Sequence, residues 1–158
     1  MATSGKNLSE YDTSGLPDAR QMRIGLVVSE WNREITEALS NGAREALLDC
    51  GVAPHNILRW DVPGSFELPY GCRKMIRSEH PDAVIAIGSV VRGETAHFEY
   101  VCSATAHGIE NLNLQQDVPV IFCVLTDDTM EQARDRSGGR HGNKGAEAAI
   151  AALKMAAL

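Results

Sequence analysis

The chain has 158 residues, a formal net charge of −6 and an apolar fraction of 44%. This length suits one domain with its own hydrophobic core, and the apolar content excludes an intrinsically disordered chain. The negative charge is unfavourable for general binding to nucleic acid or to an anionic membrane, so neither is expected as a partner.

Residues 1–21 are polar and lack hydrophobic periodicity, which predicts a flexible arm or an extension that docks on a neighbour. The folded domain is predicted to cover residues 22–158. No signal peptide is expected after Met1, because no apolar segment follows it. No apolar run is long enough to cross a membrane, and the four cysteines form no CxxC pair. These features predict a cytoplasmic protein with reduced cysteines.

Four short apolar runs are predicted to be strands. They cover residues 24–28, 57–60, 83–87 and 118–125. Three of them are continuous rather than alternating, which is typical of parallel strands buried on both faces. The second run is more polar and is predicted to lie at an edge of the sheet. Pro119 is compatible with the start of a strand, where a missing N–H costs little.

Segments with helical periodicity lie between these runs. Longer helices are predicted at residues 35–50, 66–76, 94–114 and 144–157, and a short one after a turn at 126–129. Gly51 is expected to stop the first helix, and Ser65 to cap the second. Alternating strands and helices imply a parallel sheet with helices on both faces, whose ligands bind beyond the carboxyl ends of the strands.

The loops after the first two strands carry candidate binding residues. Trp31 follows the first strand, where it either packs over the strand ends or offers a stacking face to a planar ring. Glu67 follows the second strand and is predicted to lie in the first turn of a helix. It either stabilises the helix dipole or accepts hydrogen bonds from ligand hydroxyls.

The loop after the third strand predicts an anion site. Gly88 and Gly93 permit tight turns, and the N–H groups of Glu94 and Thr95 are expected at a helix N-terminus. His97 lies two residues further on and is the candidate general acid or base, because imidazole titrates near neutrality.

The C-terminal segment 131–158 is the basic part of the chain, with five basic and three acidic residues. An arginine in it could bind a phosphate bidentately, although each is also explained as a solvated charge. The stretch 138–144 fails the Walker A spacing, and no PCxxC follows His97-Phe98-Glu99 to complete a zinc site. No metal site is therefore expected, and the lack of GxSxG and GxGxxG motifs argues against serine hydrolases and dinucleotide binding.

Several segments together resemble one family. They are Trp31-Asn32, residues 63–69, residues 88–98 and residues 142–145. In order and spacing they are similar to the lumazine synthases, and the resemblance covers about residues 22–158. It implies a three-layer α/β/α sandwich with a four-stranded, mainly parallel, flavodoxin-like sheet.

The resemblance implies a transferase of riboflavin biosynthesis with two small-molecule substrates and no metal or organic cofactor. The reaction condenses 5-amino-6-ribitylaminouracil with 3,4-dihydroxy-2-butanone 4-phosphate to give 6,7-dimethyl-8-ribityllumazine, phosphate and water. It also implies a homopentamer with sites between subunits, and in some members twelve pentamers form an icosahedral 60-mer. The 137–145 loop has no insertion, which favours the 60-mer.

The resemblance also implies residue roles. The pyrimidine and its ribityl chain would be held by Trp31, Asn32, Ser65, Phe66, Glu67, Ser89, Val90, Val91 and Phe122. The phosphate would be bound by Glu94, Thr95 and Arg136, with His97 transferring protons. Phe122 and Arg136 would come from the adjacent subunit. Lys144 would lie near them, and Glu147 would pair with Arg136.

Two other functions stay open from the sequence. One is a lyase or isomerase of phosphosugars on the same fold, which would act on the phosphate substrate without the pyrimidine. The other is a non-catalytic shell protein that binds flavin or lumazine and releases no phosphate.

Overall fold

The sheet is parallel throughout, as the apolar runs predicted. A computed structural model describes residues 7–158 and forms from them a four-stranded sheet in the order β2-β1-β3-β4. The strands are β1 (Ile24–Ser29), β2 (Ile57–Val62), β3 (Ala83–Val91) and β4 (Val120–Asp127). All the neighbouring pairs are parallel. The more polar β2 lies at an edge, which confirms that prediction.

Helices cover both faces of this sheet. They are α1 (Arg33–Asp49), α2 (Leu68–Glu79), α3 (His97–Gln115), α4 (Met130–Arg136) and α5 (Lys144–Met155). A short antiparallel hairpin of β5 (Ser137–Gly139) and β6 (Gly142–Asn143) joins the last two helices. This arrangement confirms the three-layer α/β/α sandwich.

Each face of the sheet has its own hydrophobic core. Leu26 and Ile85 pack with α1, α4 and α5 on one side. Val27 and Val84, one position away along the same strands, pack with α2 and α3 on the other side. Because successive side chains of a strand point to opposite faces, a strand covered on both sides must be apolar at every position. This explains the continuous runs in β1 and β3.

Two helices begin later than predicted. Ser65–Glu67 form a 3₁₀ turn and α2 begins at Leu68, with Pro69 in the first turn, where its missing N–H is tolerated. Ser65 does not cap this helix, since its hydroxyl has no partner among residues 7–158. Helix α3 begins at His97 rather than near Glu94. Ion pairs of Arg92 with Asp128 and Glu99 hold the segment before it in a turn.

Other local predictions hold with small shifts. Gly51 ends α1 with a φ of 93°, a left-handed conformation that glycine adopts without strain. Thr129 caps α4 by accepting a hydrogen bond from the N–H of Gln132 at 3.2 Å. The turn predicted at 126–129 begins later, because Thr126 and Asp127 extend β4 and pair with the end of β3.

The predicted N-terminal arm covers residues 1–21, of which residues 1–6 lie outside the described part of the chain. The remainder lies against its own domain. The N–H of Leu8 donates to the carbonyl of His141 at 2.8 Å, and the Tyr11 hydroxyl donates to Asp49 at 3.2 Å. Ala19 is buried in the core. In the region from residue 7 to residue 158, no helix is long and apolar enough to cross a membrane.

Candidate active site

A cavity of about 680 Å³ opens at the carboxyl ends of β1, β2 and β3. Its volume is in the range of sites for small molecules. Most of the predicted site residues line it: Trp31, Ser65, Phe66, Glu67, Ser89, Val90, Val91, Thr95 and His97. Val101 also lines it and was missed from the sequence. It lies one helical turn after His97, so the helical period was the available signal.

The exit of β1 presents an aromatic ring to the cavity. Trp31 is 71% exposed, so within this chain it does not pack over the strand ends, and the stacking interpretation is favoured. Asn32 does not line the cavity. Its backbone is left-handed, with a φ of 56°, and its side-chain amide donates to the carbonyl of Ser89 at 3.0 Å. Asparagine is one of the few residues that adopt this conformation readily, and here it ties the exits of β1 and β3 together.

The exit of β2 is packed tightly against β3. A Cβ at Gly88 would come within 2.6 Å of the Ser65 hydroxyl, so this approach requires glycine. The Thr105 hydroxyl of α3 donates to the carbonyl of Ser65 at 3.1 Å and fixes the 3₁₀ turn. The buried hydroxyls of Ser65 and Ser89 have no partner within residues 7–158. Phe66, next to this turn, is largely exposed at the cavity.

The turn between β3 and α3 is held by one arginine. The Arg92 guanidinium donates to Asp128 and Glu99 at 2.7 Å each, and its carbon lies 4.2 Å from the centre of the Phe98 ring. The two carboxylates raise the pKa of Arg92 above its ordinary value, with Asp128 the larger cause. The turn from residue 93 to residue 96 is therefore anchored at its start, although its residues are exposed.

This turn corrects the predicted position of the helix N-terminus. Because α3 begins at His97, the N–H groups of Glu94 and Thr95 belong to the turn before the helix and not to its first residues. The Thr95 hydroxyl accepts a hydrogen bond from the N–H of His97 at 3.4 Å. Thr95 and His97 line the cavity, whereas Glu94 does not.

The β4 edge lies outside the cavity. Phe122 is 39% exposed on β4, and Arg136 ends α4; neither lines the cavity of its own chain. The Lys144 ammonium lies 2.9 Å from the Glu147 carboxylate, one turn along α5. The predicted pair of Glu147 with Arg136 is therefore wrong, because Lys144 is nearer on the same helical face. Arg136 instead faces Asp127 at 3.8 Å.

Thiol and metal chemistry are not suggested by the described side chains. Burial raises the pKa of the Cys72 and Cys123 thiols to about 12, so they are protonated at neutral pH. Between residues 7 and 158, no group of three or more His, Cys, Asp or Glu side chains could hold a metal ion.

Comparisons with known proteins point to one family. A family model described as 6,7-dimethyl-8-ribityllumazine synthase matches residues 21–158. A protein of that name from Flavobacterium johnsoniae is 62% identical, over 99% of this chain and 82% of the relative. Another from Christiangramia forsetii is 60% identical, over 100% of this chain and 95% of the relative. A third, from Parabacteroides distasonis, is 56% identical over 98% and 97%.

Proposed function

The chain belongs to the 6,7-dimethyl-8-ribityllumazine synthase family, and we propose on this ground that it catalyses the penultimate step of riboflavin biosynthesis. It would condense 5-amino-6-ribitylaminouracil with 3,4-dihydroxy-2-butanone 4-phosphate, releasing phosphate and water. The match across residues 21–158 carries this proposal. Neither the lyase or isomerase nor the non-catalytic shell protein has comparable support.

The pyrimidine substrate is assigned to the cavity at the exits of β1 and β2. The exposed face of Trp31 is suited to stack on a flat heterocycle, and Phe66 offers a second aromatic surface nearby. Glu67 lines the same cavity and is assigned the hydroxyls of the ribityl chain. Ser89, Val90 and Val91 at the end of β3 are assigned the polar edge of the ring, with Asn32 supporting Ser89.

The phosphate substrate is assigned to the turn at residues 93–95, with Thr95 as a hydroxyl donor. His97 lines the cavity beside Thr95 and is exposed, so it can reach a substrate held there. The condensation joins an amine to a ketone with loss of one water, eliminates phosphate, and closes the ring on the second carbonyl with loss of another water. Each stage moves a proton, and an imidazole, which can both accept and donate a proton, is suited to that work. Holding both substrates together would supply much of the rate.

We assign the remaining residues of the site, Phe122 and Arg136, to a second copy of the chain. Phe122 and Arg136 lie outside their own cavity, and an arginine suited to a phosphate would otherwise have no part in the reaction. Tyr100 and Leu114 are exposed on α3, which is consistent with a covered helix face in an assembly. The family resemblance implies a homopentamer, and the 137–145 loop has no insertion, so we assign a homopentamer and twelve of them in an icosahedral 60-mer. The cytoplasm is the proposed location, since all four cysteines are free thiols.

The proposed function is tested by mixing both substrates with the protein and following the fluorescence of the lumazine product. A rate well above the uncatalysed condensation, with equimolar phosphate release, is expected. Phosphate release without the pyrimidine would instead indicate a lyase. Tight lumazine binding with no rate above background would indicate a non-catalytic binding protein.

A further inference from the structure

Asp127 is a buried carboxylate at the carboxyl end of β4. Only 6% of the residue is exposed, and its Oδ2 atom has no hydrogen-bond partner anywhere in residues 7–158. Its backbone carbonyl accepts the N–H of Arg92 at 2.9 Å, so the residue is fixed to the start of the turn after β3. Its burial leaves the carboxylate little access to water.

The cation that faces this carboxylate is Arg136. The Nη1 atom of Arg136 lies 3.8 Å from the Asp127 Oδ1 atom and donates to the carbonyl of Gln132 at 3.0 Å. The Nη1 end of the guanidinium is thus hydrogen-bonded to its own helix and faces Asp127. A guanidinium has five N–H donors, so the remaining edge stays available for a bidentate phosphate contact.

Burial of the charged Asp127 carboxylate is energetically unfavourable. Desolvation raises the pKa of Asp127 above its ordinary value, Arg136 lowers it by a smaller amount, and the neighbouring Asp128 raises it. A buried charge with an unsatisfied oxygen destabilises a fold unless it is well paired, and a 3.8 Å pair compensates poorly. Groups of this kind concentrate at functional sites.

We propose that Asp127 is a positioning residue, which holds the Arg136 guanidinium in the orientation that binds the phosphate of the second substrate. This inference rests on the proposed function and adds to it a residue that does not touch the substrate. Asp127 takes the place of Glu147 as the partner that orients Arg136, because Glu147 is paired with Lys144.

A purely electrostatic role of Asp127 predicts the opposite effect on binding. A carboxylate near a phosphate site repels the dianion, so its neutralisation alone would tighten phosphate binding. If instead the carboxylate orients Arg136, its neutralisation lets the guanidinium move and weakens binding. The sign of the change in KM for the phosphate substrate separates these two roles.

The test compares Asp127→Asn with Asp135→Asn. The control removes the Asp135 carboxylate of α4, the helix that also carries Arg136. Asp135 pairs at 2.6 Å with Arg140, which has no assigned role in the site. We expect Asp127→Asn to raise the KM for 3,4-dihydroxy-2-butanone 4-phosphate by about tenfold, because orientation of a charged donor is lost. The KM for the pyrimidine and the kcat should change by less than about twofold. Asp127→Ser serves as a second variant if the first does not assemble.

A double-mutant cycle with Arg136→Ala completes the test. If Asp127 acts through Arg136, adding Asp127→Asn to Arg136→Ala changes the phosphate-substrate KM no further. An unchanged or lower KM in Asp127→Asn alone, or an equal rise in both backgrounds, would overturn the inference. Failure of the proposed function is distinguished by the unsubstituted protein, which would then show no rate above background with both substrates.

Discussion

The exits of β1, β2 and β3 differ from the exit of β4, although all four lie at the same edge of the sheet. The first three enclose a cavity with exposed aromatic rings and a few polar groups. The fourth carries charged side chains, among them Asp127 and Arg136, outside that cavity. A reaction between a flat heterocycle and a phosphate needs both kinds of surface. The proposed shared site uses this difference: the cavity would come from one chain, and the charged surface around Asp127 and Arg136 from its neighbour.

The largest effect is expected from removing the proton-transfer group of the cavity. His97→Ala should lower kcat by about 10²- to 10⁴-fold, the usual contribution of general acid–base catalysis. His107→Ala is the matched control, since this exposed histidine of the same helix bonds only to Ser103 among its described neighbours. Rates are measured from lumazine fluorescence. An unchanged kcat in His97→Ala would show that the cavity works by positioning alone.

The charged surface at the exit of β4 is tested by Arg136→Ala. The KM for the phosphate substrate should rise by about 10- to 100-fold, because a charge-assisted bidentate contact is lost. Arg140→Ala, which removes the guanidinium paired with Asp135, should leave that KM unchanged. The KM for the pyrimidine is the internal reference. If both arginine variants change the KM for the phosphate substrate by the same factor, Arg136 does not bind the phosphate specifically.

The aromatic face of the cavity is tested at Trp31. Trp31→Ala should raise the KM for the pyrimidine substrate by about 5- to 100-fold, the range found when a stacking side chain is removed from a base. Trp31→Phe keeps a ring and should stay within about threefold of the original value. Steady-state titration of the pyrimidine at saturating phosphate substrate measures both. Equal KM values in the two variants would argue against stacking.

The smallest effect concerns stability at the β4 edge. Burial raises the pKa of Asp127, so folding favours its protonated form, and the stabilisation present at acid pH is lost as the pH rises through the folded-state pKa. Asp127→Asn should therefore raise the Tm at neutral pH by about 1 to 4 °C. The difference should shrink at acid pH. A lower Tm at neutral pH would show that the carboxylate stabilises the fold.

Much of the fold was predictable because burial on both sides leaves a simple pattern. The runs in β1 and β3 had to be apolar at every position, and the polar β2 had to lie at an edge. The start of α3 was not predictable to within three residues. It depends on the ion pairs of Arg92 with Asp128 and Glu99, which join separate parts of the chain.

The site residues also divide into those that the sequence predicts and those that it does not. Residues that follow a strand directly, such as Trp31 and Ser89, could be located from the rule that ligands bind at strand exits. The bond from Asn32 to the Ser89 carbonyl joins residues 57 positions apart and has no local signal. The sequence predicts a turn at Asp127, because Thr-Asp-Asp-Thr is turn-like in composition. Pairing with Val91 of β3 overrode that preference and buried the carboxylate.

The shared site is tested most directly by complementation between two impaired chains. His97→Ala and Arg136→Ala chains with different tags are expressed together, and assemblies that carry both tags are purified and assayed at low phosphate substrate. If each site takes its cavity from one copy and its arginine from the next, about a quarter of the sites in a random mixture contain both intact walls, and activity returns to that level. Activity no higher than the average of the two separate variants would contradict the shared site.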